Sequence, residues 1–218
     1  NLALMEKIAR VGAVLTELNA EVMPVWQVVL KRIIDVVLSL VAIVICIPLY
    51  IIAALVVKFT SEGPIFFLQE RIGKGGKPFN IIKYRTMYTD AEKLGPQLSS
   101  SHDPRITPSG RVMRKLRLDE FPQFFNVLKG EMSLVGPRPE RQFFIDKISA
   151  IEPQFIQLTK VRPGITSWGQ VKYGYAENVD QMLQRMRYDL LYMKNRTLAL
   201  DFKIMLHTVL IVVKAKGK

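Results

Sequence analysis

The chain has 218 residues, 49% apolar and 23% charged, which excludes a disordered tail. One cysteine excludes an internal disulfide framework, and two histidines without a partner cysteine exclude ordinary structural zinc spacing. Lysine and arginine total 31 against 19 acids, and the net charge of +12 favours an anionic partner: nucleic acid, acidic lipid or a phosphorylated substrate.

Residues 1–28 read as a separate amphipathic helix. Leu4, Ile8, Val11, Leu15, Leu18 and Val22 alternate spacings of four and three, a heptad seam. Three heptads are short for a free coiled coil, so this helix is expected to pack on an upstream domain or on a second copy, forming a homodimer. The start at Asn1 rather than methionine predicts that further sequence precedes it. Met23-Pro24 ends the pattern.

Residues 29–59 form the next unit. Val36 to Val57 is uncharged, about 22 residues, and an unbroken helix of that length reaches roughly 33 Å, enough to cross a hydrocarbon core. Pro48 interrupts it, and positive residues flank both ends: Lys31 and Arg32 before, Lys58 after. A Pro-kinked spanning helix and a broken helix that enters and leaves by one face both satisfy the pattern.

Residues 60–218 form the rest. Ile65–Arg71 and Phe79–Thr86 read as strands joined by a glycine-rich hairpin loop, residues 73–78. That loop is not a nucleotide loop, because the Gly-Lys-Ser/Thr ending is absent and Pro78 follows. Residues 88–108 are polar and turn-rich, as in a lid. Helical pattern begins at Ser109, with Arg111, Arg114 and Arg117 on a three-residue spacing. Val179–Lys194 predicts an amphipathic helix. Thr197–Val213 predicts a greasier one, suited either to a membrane interface or to a core with a solvated basic tail. His102 and His207 read as structural or exposed, Cys46 as a small hydrophobe, and Tyr173 and Tyr175 as lining either a ligand or an interface.

The stretch from Leu118 to Gly130 carries the most chemistry. Pro122 is tolerated in a first helical turn, while Lys129 and Gly130 suit the last turn and the stop. Asp119 and Glu120 therefore fall at a helix start, where backbone N–H groups favour negative charge and can hold a phosphate. Taken in isolation, the pair reads first as an aspartate cap with a first-turn glutamate, which needs no catalysis. Arg114 and Arg117 precede it, and Gly136-Pro137-Arg138-Pro139 follows, a stiff support that offers Arg138 to a phosphate. Carboxylates among arginines would repel a nucleic-acid backbone, so no nucleic acid is expected. They suit a metal ion bridging carboxylates and phosphates.

Together Leu118-Asp119-Glu120-Phe121-Pro122-Gln123, Asn126 to Ser133 and Gly136-Pro137-Arg138-Pro139 resemble the bacterial monotopic polyprenyl-phosphate phosphoglycosyl transferases. The likeness continues through Lys31-Arg32-x-x-Asp35, Lys83-Tyr84-Arg85-Thr86-Met87, Asp103 to Thr107, Arg162-Pro163-Gly164-Ile165-Thr166, and the stretches around Asp189 and Asp201. It covers about residues 29–214. The resemblance implies an α+β, mostly helical fold: a re-entrant membrane helix broken at Pro48, interfacial amphipathic helices, a small β-hairpin and a cytoplasmic catalytic domain over 60–218. It implies the cytoplasmic face of a bacterial inner membrane, with membrane lipids as partners.

The resemblance further implies that sugar-1-phosphate passes from a UDP-sugar to polyprenyl (undecaprenyl) phosphate with release of UMP, the first membrane step of surface glycan assembly. Asp119 maps to the nucleophile that carries the phosphosugar, and Glu120 to the partner associated with Mg²⁺. The metal would lie at Asp119 and Glu120. Arg114, Arg138, Lys83, Arg85, Arg162, Gln170 and Asp189 are the phosphate- or substrate-binding candidates. Ile47 stands where relatives often carry serine before the helix-breaking proline, leaving the form of the bend open. A carboxylate needs no base to act as nucleophile, and the difficulty is its approach to an anionic diphosphate. Sugar choice is expected in less patterned segments, near Glu140-Arg141 or residues 172–178.

Overall fold

The computed structural model describes residues 23–93, 95–100 and 103–213, so the heptad run from Leu4 to Val22 and its expected homodimer or upstream contact lie outside the described residues. Helix α1 spans Val25–Ile45 and opens on the Pro24 carbonyl, which accepts from the N–H groups of Gln27 and Val28. It stops at Cys46. Helix α2 spans Ile47–Thr60, with Pro48 in its first turn, where the missing N–H leaves no gap in the ladder. The two helices meet at a 65° bend, and among the described residues no single helix is long and apolar enough to cross a membrane.

Both ends of this bent pair are rooted in the same domain. On α1, Asp35 is buried and accepts from the Ser133 hydroxyl at 2.6 Å and the Leu134 N–H at 3.2 Å. Lys31 reaches Asp201 at 2.7 Å, and Arg32 donates to the Val127 carbonyl at 2.8 Å. On α2, the Tyr50 hydroxyl donates to the Phe121 carbonyl, and Arg85 donates to the Ser61 carbonyl at 2.7 Å. Between the roots the bend is bare and apolar, with Leu40, Val41, Val44, Ile45, Ile47, Ile51 and Ile52 exposed.

Strands β1 (Phe66–Ile72) and β2 (Pro78–Tyr84) form the antiparallel hairpin, pairing Phe66 with Tyr84 and Ile72 with Pro78. Helix α3 spans Pro108–Lys115 and is capped by Thr107, whose hydroxyl accepts from the Gly110 N–H. Helix α4 spans Gln123–Lys129 and ends at Gly130, whose φ of 88° is the left-handed stop the sequence predicts. Asn126 on α4 covers the free edge of β2. Its amide oxygen accepts from the Ile82 N–H, and its nitrogen donates to the Asn80 carbonyl and to Glu131.

Strands β3 (Ser133–Val135) and β4 (Gly164–Thr166) form a short parallel pair that the periodicity does not reveal. Its end brings backbones so close that a Cβ on Gly164 would strike the Gly136 nitrogen. Helix α5 (Gln142–Ile151), a 3₁₀ stretch (Pro153–Lys160), α6 (Trp168–Lys172), α7 (Val179–Lys194) and α8 (Leu198–Val213) complete the domain.

The core joins Val127, Met132, Val135 and Ile148 to Met182, Met186 and Leu190 of α7. Each such side chain contributes roughly 1.5–3 kcal/mol by leaving water. The expected amphipathic helix over Val179–Lys194 is present with those bounds, and its apolar face is buried in the core. Helix α8 divides. Ile204 is fully buried, whereas Phe202, Leu206, Val209 and Leu210 stay exposed, so this helix has both an inner apolar face and one that no described residue covers.

Candidate active site

Asp119 and Glu120 lie on a 3₁₀ turn, Leu118–Glu120, between α3 and α4. The turn is entered through Arg117, which has φ 59° and is the sole non-glycine residue with positive φ among the described residues. That left-handed step costs about 1–2 kcal/mol and turns the chain so that both carboxyls face a cleft. The amides of Glu120, Phe121, Phe124 and Phe125 are donated to carbonyls within these turns. These four amides are therefore not free for a phosphate, and the positive groups facing the cleft are side chains.

Those side chains come from three distant parts of the chain. Glu120 lies 3.2 Å from Arg117, 3.6 Å from Lys83 of β2 and 3.6 Å from Arg138 in the loop after β3. Arg114 is held on the cleft wall by the Thr86 hydroxyl at 2.9 Å and the Ser99 hydroxyl at 3.0 Å. The cleft holds about 320 Å³, and eight cationic against four acidic side chains line it, a balance suited to an anionic ligand.

The charges set the titration of the pair in opposite directions. Burial opposes ionisation of Glu120, but Arg117, Lys83 and Arg138 outweigh it and hold the carboxyl at about 2. Burial and the charge on Glu120 push Asp119 up, partly offset by Lys83, Arg114 and Arg117. Lys83 is pulled down to about 8 by burial, against the attraction of Glu120. Burial lowers Arg138 less than Glu120 and Glu140 raise it, so it stays firmly cationic. The cleft thus holds one fixed anion and a second carboxylate destabilised relative to water.

Not every residue expected from the sequence reaches the cleft. Asp119, Glu120, Arg114, Arg138 and Lys83 converge there. Arg85 touches its edge, but its guanidinium turns to the Ser61 carbonyl and hydroxyl, which makes it a clamp on the C-terminal end of α2. Asp189 is buried behind the Arg138 loop, where it accepts from the Gly169 N–H at 2.7 Å and from the Arg138 backbone. Burial pushes it up to about 6. Gln170 is buried on α6, its N–H donated to the Ser167 hydroxyl. Arg162 lies on another face, donating to the Gly130 carbonyl at 2.9 Å.

Other cleft residues have no local signal. Glu140 is gripped from two sides by Arg71 and Arg185, residues more than forty positions away on either side, and this buried trio braces the Arg138 loop. Both segments expected to read the sugar contribute to the wall, through Glu140, Arg141, Tyr175 and Ala176. Tyr88, Glu92 and Leu98 from the turn-rich stretch line the opposite side, as a lid would.

Among the described residues no group of three His, Cys, Asp or Glu could hold a metal ion by itself. The adjacent carboxylates of Asp119 and Glu120 match one common mode, in which Mg²⁺ takes one or two carboxylates and completes its shell with substrate phosphate and water.

The bacterial sugar transferase family profile matches residues 26–215. An Aeromonas hydrophila UDP-N-acetylgalactosamine-undecaprenyl-phosphate N-acetylgalactosaminephosphotransferase is 43% identical over 188 residues, covering 86% of this chain and 44% of that protein. A Caulobacter vibrioides UDP-glucose:undecaprenyl-phosphate glucose-1-phosphate transferase is 42% identical over 183 residues, covering 82% and 68%. The Escherichia coli protein of the same description is 37% identical over 183 residues, covering 83% and 39%. The chain thus spans less than half the length of two of these three relatives.

Proposed function

Because the chain belongs to the bacterial sugar transferase family, we propose that it moves a sugar phosphate from a UDP-sugar to undecaprenyl phosphate. The observation that carries this reading is the Asp119–Glu120 pair sunk in a cleft where Arg117, Lys83 and Arg138 surround one of its two carboxyls. Such a cleft attracts a diphosphate and leaves a carboxylate in reach of it.

The charges in the cleft support the following step. A carboxylate oxygen of Asp119 attacks the β-phosphorus. A phosphorus–oxygen bond forms, the bond from that phosphorus to the bridging oxygen breaks, and UMP leaves with the electron pair. An oxygen of undecaprenyl phosphate then attacks the same phosphorus and releases Asp119. Arg114, Lys83 and Arg138 offset the repulsion between anions. The raised pKa of Asp119 makes its ionised form the better nucleophile of the pair, and Glu120 remains the fixed anion. Asp119 and Glu120 would also hold Mg²⁺, which when bound screens the phosphate charge.

The membrane reading rests on the bent pair. From Asp35 to Ile45 the helix rises about 15 Å at 1.5 Å per residue, about half of a hydrocarbon core. With both roots docked on one domain, an inserted bend returns to the face it entered, which supports a re-entrant anchor on the cytoplasmic face of the inner membrane. The exposed face of α8 would lie along the same surface.

The test is Asp119→Asn. Incubation with UDP-sugar labelled in the β-phosphate should leave label on Asp119 of the unaltered enzyme and none on the variant, with UMP release lost and helical content retained. Label recovered on another residue, or turnover surviving in the variant, would sink the covalent route.

A further inference from the structure

On the flank away from the cleft, α1 meets the hairpin turn, the 3₁₀ stretch and the end of α7 around a recess of about 70 Å³. Five cationic side chains line it: Lys31, Arg32, Lys74, Arg162 and Arg196. One carboxylate, Asp35, faces them, and it is already held by the Ser133 hydroxyl and the Leu134 N–H.

The cations are poorly balanced. Lys31 pairs with Asp201 at 2.7 Å. Among the described residues, Arg32 and Arg162 donate to the carbonyls of Val127, Leu128 and Gly130 at the C-terminal end of α4. They also repel each other, and burial together with Arg162 lowers the pKa of Arg32. Arg196 is 8% exposed, yet its Nε has no hydrogen-bond partner among the described residues. Leaving a buried guanidinium donor unpaired costs about 1–3 kcal/mol or more, so its presence calls for an acceptor from outside the described residues. Lys74, exposed on the hairpin turn, closes the rim.

We propose that this recess is a second anion site that takes a phosphate group, carried by the headgroup of an anionic phospholipid. Arginine suits the task, since its planar fork binds two phosphate oxygens at once. The neighbouring surface points to lipid. Val28 lines the recess, and Val25 and Trp26 on the same turn of α1 are 81% and 63% exposed, with tryptophan preferring the headgroup level of a bilayer. The lipid source rests on the membrane reading above, whereas the phosphate site itself does not.

The test has two arms, both on the full chain. In nanodiscs of phosphatidylcholine with added phosphatidylglycerol, native mass spectrometry should find phosphatidylglycerol retained. Arg196→Gln should weaken its retention about tenfold. Lys74→Gln, on an exposed turn, probes the same recess without disturbing the core and should also weaken it. In the second arm, inorganic phosphate at constant ionic strength is titrated into detergent-solubilised protein. A saturable rise in melting temperature that Arg196→Gln removes supports the site with soluble phosphate as occupant. If neither probe binds, or both variants bind like the unaltered chain, the proposal fails. Both arms read binding, so their failure leaves the transferase reading intact.

Discussion

Lys83 Nζ lies 3.6 Å from the Glu120 carboxylate at the floor of the cleft, and burial draws its pKa down to about 8. Below that pH the side chain is a cation facing the cleft in which the proposed substrate's phosphates would lie, and above it the charge is lost. The turnover rate per substrate, kcat/KM, is therefore expected to fall as pH rises through about 8. Lys83→Arg should shift this limb upward, because a guanidinium stays charged. The effect on folding has the opposite sign. The folded pKa is below the unfolded one, so burial of this charge destabilises the fold below about pH 8, and the penalty fades as pH rises toward the ordinary lysine value. A profile of UMP release from pH 6 to 10 checks the assignment, and an unmoved limb in Lys83→Arg refutes it.

Arg117 combines a strained backbone with the shortest ion pair to Glu120. Arg117→Ala keeps the strain and loses the charge, whereas Arg117→Gly loses both. Activity should drop in each by about tenfold or more. Arg117→Gly should nevertheless be the more stable of the two, by about 1 kcal/mol, because glycine adopts positive φ freely. Denaturant midpoints for the two variants decide this.

Asn126 is fully buried and makes three hydrogen bonds, two that fasten α4 to the edge of β2 and one to Glu131. Asn126→Ala strands the Ile82 N–H and the Asn80 carbonyl. The expected loss is about 2–4 kcal/mol, as for buried polar groups left without partners. Because β2 carries Lys83, activity near the melting range should fall as well. A stability loss below about 1 kcal/mol would show that water replaces the side chain.

The bent helix pair makes a topological prediction. Cysteines placed at Val25 and Phe59, which are 81% and 82% exposed, in a Cys46→Ser background should both react with an impermeant thiol reagent from the cytoplasmic side. Reaction from opposite sides would mean that the pair spans. Asp35 is unsuitable for this purpose because it is buried against Ser133 and Leu134.

Much of the local structure is legible in the residues themselves. Alternation across a glycine-rich loop marks the hairpin, Pro48 marks the bend, the spacing of Met182, Met186 and Leu190 marks α7, and Gly130 marks the end of α4. The pairing of Asp119 with Glu120 ahead of a helix can be read the same way. Each of these depends on hydrogen bonds or side-chain periods within a few residues.

What surrounds the pair is decided elsewhere. Lys83, Arg117 and Arg138 meet at Glu120 because the hairpin, the 3₁₀ turn and the loop after β3 pack on a common core, and no spacing along the chain encodes that meeting. Arg162 and Arg138 both lie next to prolines in the sequence, yet one faces the cleft and the other the opposite recess. Helix α7 carries an amphipathic pattern, and packing buries its apolar face in the core. Periodicity tells which side of a helix avoids water, but only the arrangement of neighbouring elements determines whether protein or lipid covers it.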